Sequence, residues 1–137
     1  MIIGTGIDVV NIDRFEKIIH KTPALRQRLF SEEEQQKPIR SLAARFAVKE
    51  AVAKALGAPS GLSWKDCSIT NSVNGKPQLL LSGTVKSYAE KLRINHWHIT
   101  LSHDEPIATA MVIAEHLNSE ELELLKTSRT PKRMDNF

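Results

Sequence analysis

The residues best placed for chemistry lie between Arg45 and Gly57, where two lysines and a glutamate stand among apolar and small side chains. On a helix, with 100° per residue, Glu50 and Lys54 share one narrow stripe, and Arg45 and Lys49 share another. The remaining side chains are mostly apolar, so we expect this helix to be largely buried. A buried carboxylate is costly unless it is paired or binds a cation. Glu50 therefore either pairs with Lys54 or holds a metal ion.

A second acidic signal lies near the start of the chain. The apolar run from Ile2 to Val10 predicts a β-strand, and Asp8 is its single carboxylate. An aspartate is unfavourable in a core strand both by propensity and by solvation. Asp8 either caps the following helix, lies at a frayed strand end, or joins Glu50 in a functional site.

His103 is the next candidate for chemistry, although a lone histidine in a turn is most often a surface residue. No order of Ser, His and Asp indicates a nucleophilic triad. Gly4-Thr-Gly6 lacks the third glycine and the Lys-Ser/Thr ending of a phosphate-binding loop. Two carboxylates, several lysines and a histidine remain, and these are the parts of a Mg²⁺-assisted phosphate reaction.

Composition indicates an ordinary globular protein. The chain has 137 residues, 41% of them apolar and 26% charged, which predicts a single domain. The apolar runs are too short to span a bilayer, and no signal peptide is predicted at Met1, so we expect no membrane association. Cys67 is the lone cysteine and cannot form an internal disulfide, which fits a reducing cytoplasm. We expect it to be a small strand hydrophobe.

Positive charge is concentrated in one region. The formal net charge is only +3, but most of the charged residues between positions 14 and 49 are Lys or Arg. Such a face suits a phosphate-bearing ligand or an acidic protein partner. Nucleic acid is not the expected partner, because no aromatic residues alternate with these charges and Glu32–Glu34 interrupts them.

Periodicity and turn residues predict the order of elements. The predicted helices cover 12–20, a short acidic segment capped by Ser31, 39–56 and 84–92; the predicted strands cover 2–10, 67–73, 78–81, 96–101 and 107–114. Asn74-Gly75 predicts a tight hairpin turn. We expect the last two strands to pair across 102–106.

The end of the chain differs in composition from the rest. We predict one domain over residues 1–117 and a C-terminal extension over 118–137. Residues 119–126 are compatible with one or two acidic helical turns, and 127–137 are polar and basic, with little to bury. We expect this last piece to be disordered.

Four segments together resemble a known family. Gly6–Asp8, Arg45–Gly57, Asn74–Pro77 and Leu101–Asp104, in this order and spacing, resemble the bacterial holo-acyl-carrier-protein synthases, the small trimeric branch of the 4′-phosphopantetheinyl transferases. The resemblance covers about residues 1–115. It implies an α+β fold with an antiparallel sheet wrapped against a long central helix.

The resemblance also implies an activity and residue roles. The reaction is transfer of 4′-phosphopantetheine from coenzyme A to a serine of apo acyl carrier protein, releasing adenosine 3′,5′-bisphosphate and supporting fatty acid synthesis. The implied metal is Mg²⁺, with Asp8 and Glu50 as its ligands. The implied catalytic residues are Glu50, Lys54 and His103. The nucleophile belongs to the partner, which fits the absence of a nucleophilic motif in this chain.

Further implied residues contact substrate or partner. The resemblance implies that Lys54 contacts the pyrophosphate of coenzyme A. It also implies that the Asn74–Pro77 turn bounds the adenine side of coenzyme A. Arg14 matches an arginine that faces the acidic carrier protein, and the pocket lies between subunits of a homotrimer. The residues implied in binding coenzyme A are Arg45, Lys49, Lys54, Asn74, Gly75, Lys76, Pro77 and His103.

Two other functions remain open from the sequence. One is a broader transferase that loads synthases of natural-product pathways, although such enzymes usually have a chain about twice this length, whereas this chain must complete its site by oligomerising. The other is a nucleotide-binding trimer that has no catalytic activity.

Overall fold

A long helix packed against a small antiparallel sheet organises the protein, whose computed structural model describes residues 1–128. The helices are α1 Ile12–Lys21, α2 Ala24–Leu29, α3 Glu32–Gln35, α4 Ile39–Ala55, α5 Gly83–Lys91 and α6 Ser119–Ser128. The strands are β1 Ile2–Asn11, β2 Cys67–Asn71, β3 Pro77–Leu81, β4 His96–Asp104 and β5 Ile107–Glu115. The α+β architecture expected from the sequence is confirmed.

The main sheet has the strand order β1-β5-β4 with antiparallel pairing throughout, and β2 and β3 form a separate hairpin. Along β5, alanines and Val112 face α4 and are fully or almost fully buried. The small side chains allow the helix to lie close to the sheet. The predicted pairing of the last two strands is confirmed.

The α4 helix has the burial expected from its sequence. Ten of its residues are buried, and they include the charged Arg45 and Lys49. Pro38 precedes the helix, and Gly57 follows it with φ +84°. Glycine adopts this conformation without the steric cost that a Cβ brings, which explains where the helix ends.

Some predicted bounds differ from the structure. The strand predicted over 67–73 ends at Asn71, because Ser72 enters the turn and its amide donates to the Lys76 carbonyl at 2.8 Å. The strand predicted to end at 101 continues to Asp104. The six-residue α2 helix was not predicted. The predicted acidic turns form α6 and continue to Ser128, so the disorder predicted from Thr127 is wrong for Thr127 and Ser128. The rest of that prediction, over 129–137, lies outside the described residues.

Candidate active site

Two glycines bring the opening strand against the central helix. An added Cβ at Gly4 would lie 1.9 Å from the Ala55 carbonyl oxygen, and one at Gly6 would lie 1.8 Å from that of Ala51. Only glycine permits this approach of the β1 and α4 backbones. Asp8 follows two residues later on the same face of β1, because side chains alternate along a strand. The strand therefore delivers Asp8 to the last turns of α4.

Lys54 pairs across the two elements. Its Nζ donates to Asp8 Oδ1 at 3.0 Å and to the Ile7 carbonyl at 2.9 Å. Half of the Lys54 side chain remains exposed, compared with 16% of Asp8. Among residues 1–128, Lys54 forms its ion pair with Asp8 and none with Glu50. The alternative in which Lys54 is the ion-pair partner of Glu50 is therefore wrong.

Glu50 lies near Asp8 and Lys54 and is only partly buried. Burial raises the pKa of the Glu50 carboxyl, the Asp8 carboxylate raises it further, and Lys54 acts in the opposite direction. Glu50 precedes Ala51, whose carbonyl lies against Gly6, and it is one helical turn from Lys54, so the two acids are neighbours. The two neighbouring carboxylates supply oxygen ligands of the kind that a divalent cation prefers. Lys54 adds a positive charge beside them.

A cavity of about 290 Å³ adjoins this cluster. It lies between α4 and the 58–64 segment, and its lining includes Glu50 together with the apolar side chains of Leu62, Trp64 and Val85. Cys67 also lines it, and burial raises the pKa of its thiol to about 12, so the thiol stays neutral. The expectation that Cys67 is a small strand hydrophobe is confirmed, since it is the first residue of β2 and is buried. The size and lining of the cavity suit a narrow, mostly apolar ligand.

Lys49 occupies a place different from the one expected. Its side chain has 0% exposure, and its Nζ donates to Glu34 Oε1 at 2.8 Å, to the Leu29 carbonyl at 2.8 Å and to the Trp64 carbonyl at 3.2 Å. Burial lowers the pKa of Lys49, and the hydrogen bond and charge of Glu34 oppose that shift. In this chain Lys49 has a structural role, since its ammonium is surrounded by internal partners.

Arg45 joins the same buried group. Its Nε lies 3.8 Å from Glu34 Oε2, and its Nη1 contacts Ser41 Oγ. Only 10% of the Arg45 side chain is exposed. The buried acid Glu34 is therefore the common partner of Arg45 and Lys49. The phosphate contacts expected of these two residues stay a prediction.

The two other segments expected near coenzyme A lie apart from Asp8 and Glu50. His103 is exposed at the end of β4 and pairs in register with Ala108, which pairs with Val10 on β1. Two strand spacings, about 10 Å, therefore separate it from β1. The Asn74–Pro77 turn closes the β2–β3 hairpin and, with β4, lines a groove of about 780 Å³. Gly75 has φ +81°, as the Asn-Gly signal predicted.

Arg14 lies in the first turn of α1, where its amide donates to Asn11 Oδ1 at 2.9 Å and its side chain is exposed. Lys17 and Lys21 are also exposed, three and seven residues further along. These spacings place the three cations on one side of α1. Ile18 lies beside them with 47% exposure.

Sequence reasoning missed two groups. Glu34 looked like one of three acids favourable at a helix start, and the capping box it forms with Ser31 fits that expectation. Its role as the buried partner of Lys49 had no local signal. The alternation His96-Trp97-His98 was also missed, although an i,i+2 pair on a strand points to one face. Each group forms only when residues distant in sequence come together in the fold: Glu34 meets Lys49, and His98 meets Glu115.

Comparison with known proteins agrees with this geometry. A family model described as the 4′-phosphopantetheinyl transferase superfamily matches residues 4–112. The holo-[acyl-carrier-protein] synthase of Micrococcus luteus is 54% identical over 123 residues, which cover 88% of this chain and 98% of that protein. The chain belongs to the holo-acyl-carrier-protein synthases.

Solved structures of other holo-acyl-carrier-protein synthases share the fold. The enzyme of Neisseria meningitidis is 32% identical and superposes with a TM-score of 0.76, covering 84% of this chain and 99% of that one. The Helicobacter pylori enzyme, solved in complex with coenzyme A, is 32% identical with a TM-score of 0.71 and covers 81% of this chain and 99% of that one. The chain is therefore an enzyme of this family, as its motifs predicted. Within residues 1–128, no helix has the length and apolar character needed to cross a membrane.

Proposed function

We propose that this protein transfers the 4′-phosphopantetheine group of coenzyme A to a serine of apo acyl carrier protein. The serine oxygen attacks the β-phosphorus of the pyrophosphate, the bond from that phosphorus to the bridging oxygen breaks, and adenosine 3′,5′-bisphosphate leaves. The observation that carries this proposal is the juxtaposition of Asp8, Glu50 and Lys54, which brings two carboxylates and a half-exposed ammonium to one place.

Asp8 and Glu50 would hold Mg²⁺, and the fit rests on their chemistry. Their carboxylates are close enough for Asp8 to raise the pKa of Glu50, and repelling acids of this kind favour a bound cation. Mg²⁺ typically uses one or two carboxylates, with waters and substrate phosphates as the other ligands. When bound, the ion neutralises charge on the pyrophosphate and its departing nucleotide.

The side chains of this enzyme supply the remaining steps. Lys54 is held at the site by Asp8 and the Ile7 carbonyl, and its half-exposed ammonium can turn to a phosphate oxygen. A water held by Glu50 would accept the serine proton. The neighbouring apolar cavity is of a size and character that suits the pantetheine arm. We keep His103 and the Asn74–Pro77 turn as contacts that a second subunit would bring to the coenzyme.

A homotrimer would supply those contacts. On the face of the main sheet turned away from α4, apolar side chains of β1 and the middle of β5 are exposed within residues 1–128: Ile7 is 61% exposed, Val9 60% and Met111 43%. Exposed apolar side chains on adjacent strands mark an interaction surface. Because His103 lies about two strand spacings from β1 within one chain, the complete pocket would form between subunits.

The carrier protein would dock on α1. Arg14, Lys17 and Lys21 form a basic stripe beside the exposed Ile18, which suits an acidic surface with an apolar centre. Complementary charge raises the association rate and fixes orientation, with strong salt dependence. We place the reaction in the cytoplasm, where it would support fatty acid synthesis.

Mass spectrometry of the carrier protein tests the proposal. Purified enzyme, coenzyme A, Mg²⁺ and apo carrier protein should give a carrier heavier by one 4′-phosphopantetheine. Asp8→Asn and Glu50→Gln should each slow the transfer at least about 100-fold. Glu90→Gln is the matched control, because this acid is exposed on α5, away from the proposed docking helix.

The outcomes separate the candidate functions. An unmodified carrier with tight coenzyme A binding would support the non-catalytic trimer instead. Faster loading of natural-product synthase domains than of the fatty acid carrier would support the broader transferase.

A further inference from the structure

The outward face of the main sheet holds a cluster of metal-binding side chains that the transferase function does not use. His96 and His98 are alternate residues of β4, so they point to the same face. Trp97 and Ile99 point the other way and pack against the core. Glu115 is the register partner of His96 on β5. Strand alternation and cross-strand pairing thus bring two imidazoles and a carboxylate together.

The three side chains are close enough to share one ion. One ligand atom from each residue lies within 4.8 Å of those from the other two. His98 Nε2 contacts Glu115 Oε1, and the two imidazole rings are 4.6 Å apart at 89° to each other. Ligand bonds of about 2.1 Å in tetrahedral geometry place ligand atoms roughly 3.4 Å apart. The ligand atoms lie only slightly further apart than in such a site. Rotation of the His98 side chain, which is 52% exposed, can bring them closer together.

This cluster is separate from the Asp8–Glu50 site. Asp8 pairs in register with Ala110, whereas Glu115 lies five residues further along β5, a distance of about 17 Å. The two groups also lie on opposite faces of the sheet, since Ala110 faces α4 and Glu115 does not. A metal bound by His96, His98 and Glu115 would therefore not be the ion of the transfer reaction.

We propose that His96, His98 and Glu115 form a second metal site, for a divalent transition metal of the Zn²⁺ class. Two imidazoles and one carboxylate are a common zinc ligand set, and imidazole ligands do not suit Mg²⁺. His96 and His98 also line the groove beside the 74–77 turn, so a fourth position is open to water or another ligand. The metal links β4 to β5 and stabilises the end of the sheet. Without a metal, His98 and Glu115 contact each other directly.

Zinc titration of tag-free protein, stripped with chelator and free of coenzyme A, tests the site. We expect one Zn²⁺ per chain in competition with a chromophoric chelator, and a tetrahedral visible spectrum when Co²⁺ replaces Zn²⁺. His98→Ala and Glu115→Gln should each weaken Zn²⁺ binding more than about 100-fold, because even outer ligand partners contribute 10–100-fold. His20→Ala is the control, since His20 is an exposed histidine on α1.

Thermal unfolding supplies a second readout. Zn²⁺ should raise the midpoint of the wild-type protein and of His20→Ala, and leave that of His98→Ala unchanged, because a ligand stabilises only the fold that binds it. Equal Zn²⁺ affinity in the wild type and His98→Ala would overturn the site, as would a failure to bind one equivalent. Loss of Zn²⁺ binding in Glu50→Gln with retention in His98→Ala would assign the metal to the transfer site and also overturn the proposal.

Discussion

The buried Lys49 ammonium shows how internal partners fix the role of a charged residue. Its charge is balanced by Glu34, and two carbonyls and the face of Phe30, with its ring centre 5.1 Å from Nζ, complete its surroundings. Breaking such a pair by removing one partner leaves a buried charge without compensation. The stability of the fold, more than affinity for coenzyme A, should depend on this lysine.

We therefore expect Lys49→Met to lower the free energy of unfolding by about 3 kcal/mol, because it leaves Glu34 buried beside a single, more distant arginine. Urea denaturation measures this change. Lys37→Met, at an exposed position before α4, should be nearly neutral. A Lys49→Met protein that keeps the wild-type stability but has a higher KM for coenzyme A would instead support a phosphate-binding role of Lys49.

Glu50 offers a test by titration, because its pKa is raised by burial and then by Asp8. In metal-free protein, Asp8→Asn should lower the pKa of Glu50 by removing the neighbouring negative charge and leaving Lys54 to act on Glu50. NMR of the Glu50 side-chain carboxyl carbon measures the shift. Asp13→Asn should leave that pKa unchanged, and an unchanged value in Asp8→Asn would show that the two acids do not interact.

The raised pKa also has a stability consequence of defined sign. The folded state binds the Glu50 proton more tightly than the unfolded state does. This group therefore favours folding at low pH, and its contribution is lost as the pH rises from the unfolded pKa through the higher folded pKa. A bound divalent cation would reverse that dependence, because it favours the ionised carboxylate.

At the scale of elements, the contact between β1 and α4 sets the site. Gly6→Ala would place a Cβ 1.8 Å from the Ala51 carbonyl oxygen, so strand and helix must move apart. We expect a loss of about 3 kcal/mol in the free energy of unfolding and a larger fractional loss of transferase rate, because Asp8 moves away from Glu50.

Urea denaturation and the carrier-loading assay measure the two effects of Gly6→Ala. Thr5→Ala is the control on the same strand, since Thr5 is exposed and should change stability by less than about 0.5 kcal/mol. Identical unfolding midpoints for Gly6→Ala and the wild type would show that the backbone contact is not a constraint.

Much of the element order followed from the sequence. The apolar run of β1, the burial of α4 and the Asn74-Gly75 turn have local signals that their structures confirm. The short α2 helix had none, because six residues carry too little periodicity. The end of β2 was misplaced, because a turn hydrogen bond at Ser72 outcompetes the strand pairing that Val73 favours.

The pairing partners were harder to predict than the elements. Asp8 and Glu50 were singled out as unusual charges in apolar segments. Helical spacing made Lys54 one of two alternatives for Glu50, whereas its ion pair is with Asp8, 46 residues away in sequence. Lys49 likewise finds Glu34 through the tertiary fold. Local spacing identifies which residues need partners, whereas the packing of separate elements decides which partners they obtain.

At the scale of the whole molecule, the uncovered sheet face predicts assembly. Met111→Glu places a charge among Ile7 and Val9 on this face. We expect light scattering after size exclusion to give three times the 15.4 kDa chain mass for the wild type and a single chain mass for this variant, with loss of transferase activity.

Leu124→Glu is the control for assembly, because this leucine is 68% exposed on α6, outside the sheet. It should remain a trimer. A wild-type protein with the mass of one chain at assay concentrations, or a trimeric Met111→Glu, would contradict the role of this face.

Glu34 has a consequence for how the chain opens in solution. Its Oε1 accepts from the Ser31 amide and from Lys49, while its Oε2 accepts from the Ile69 amide. The four-residue α3 and the β2 strand, 35 residues apart at this contact, therefore share one carboxylate. Neither segment can fray alone, and amide hydrogen exchange at Ile69 should report the local opening of α3.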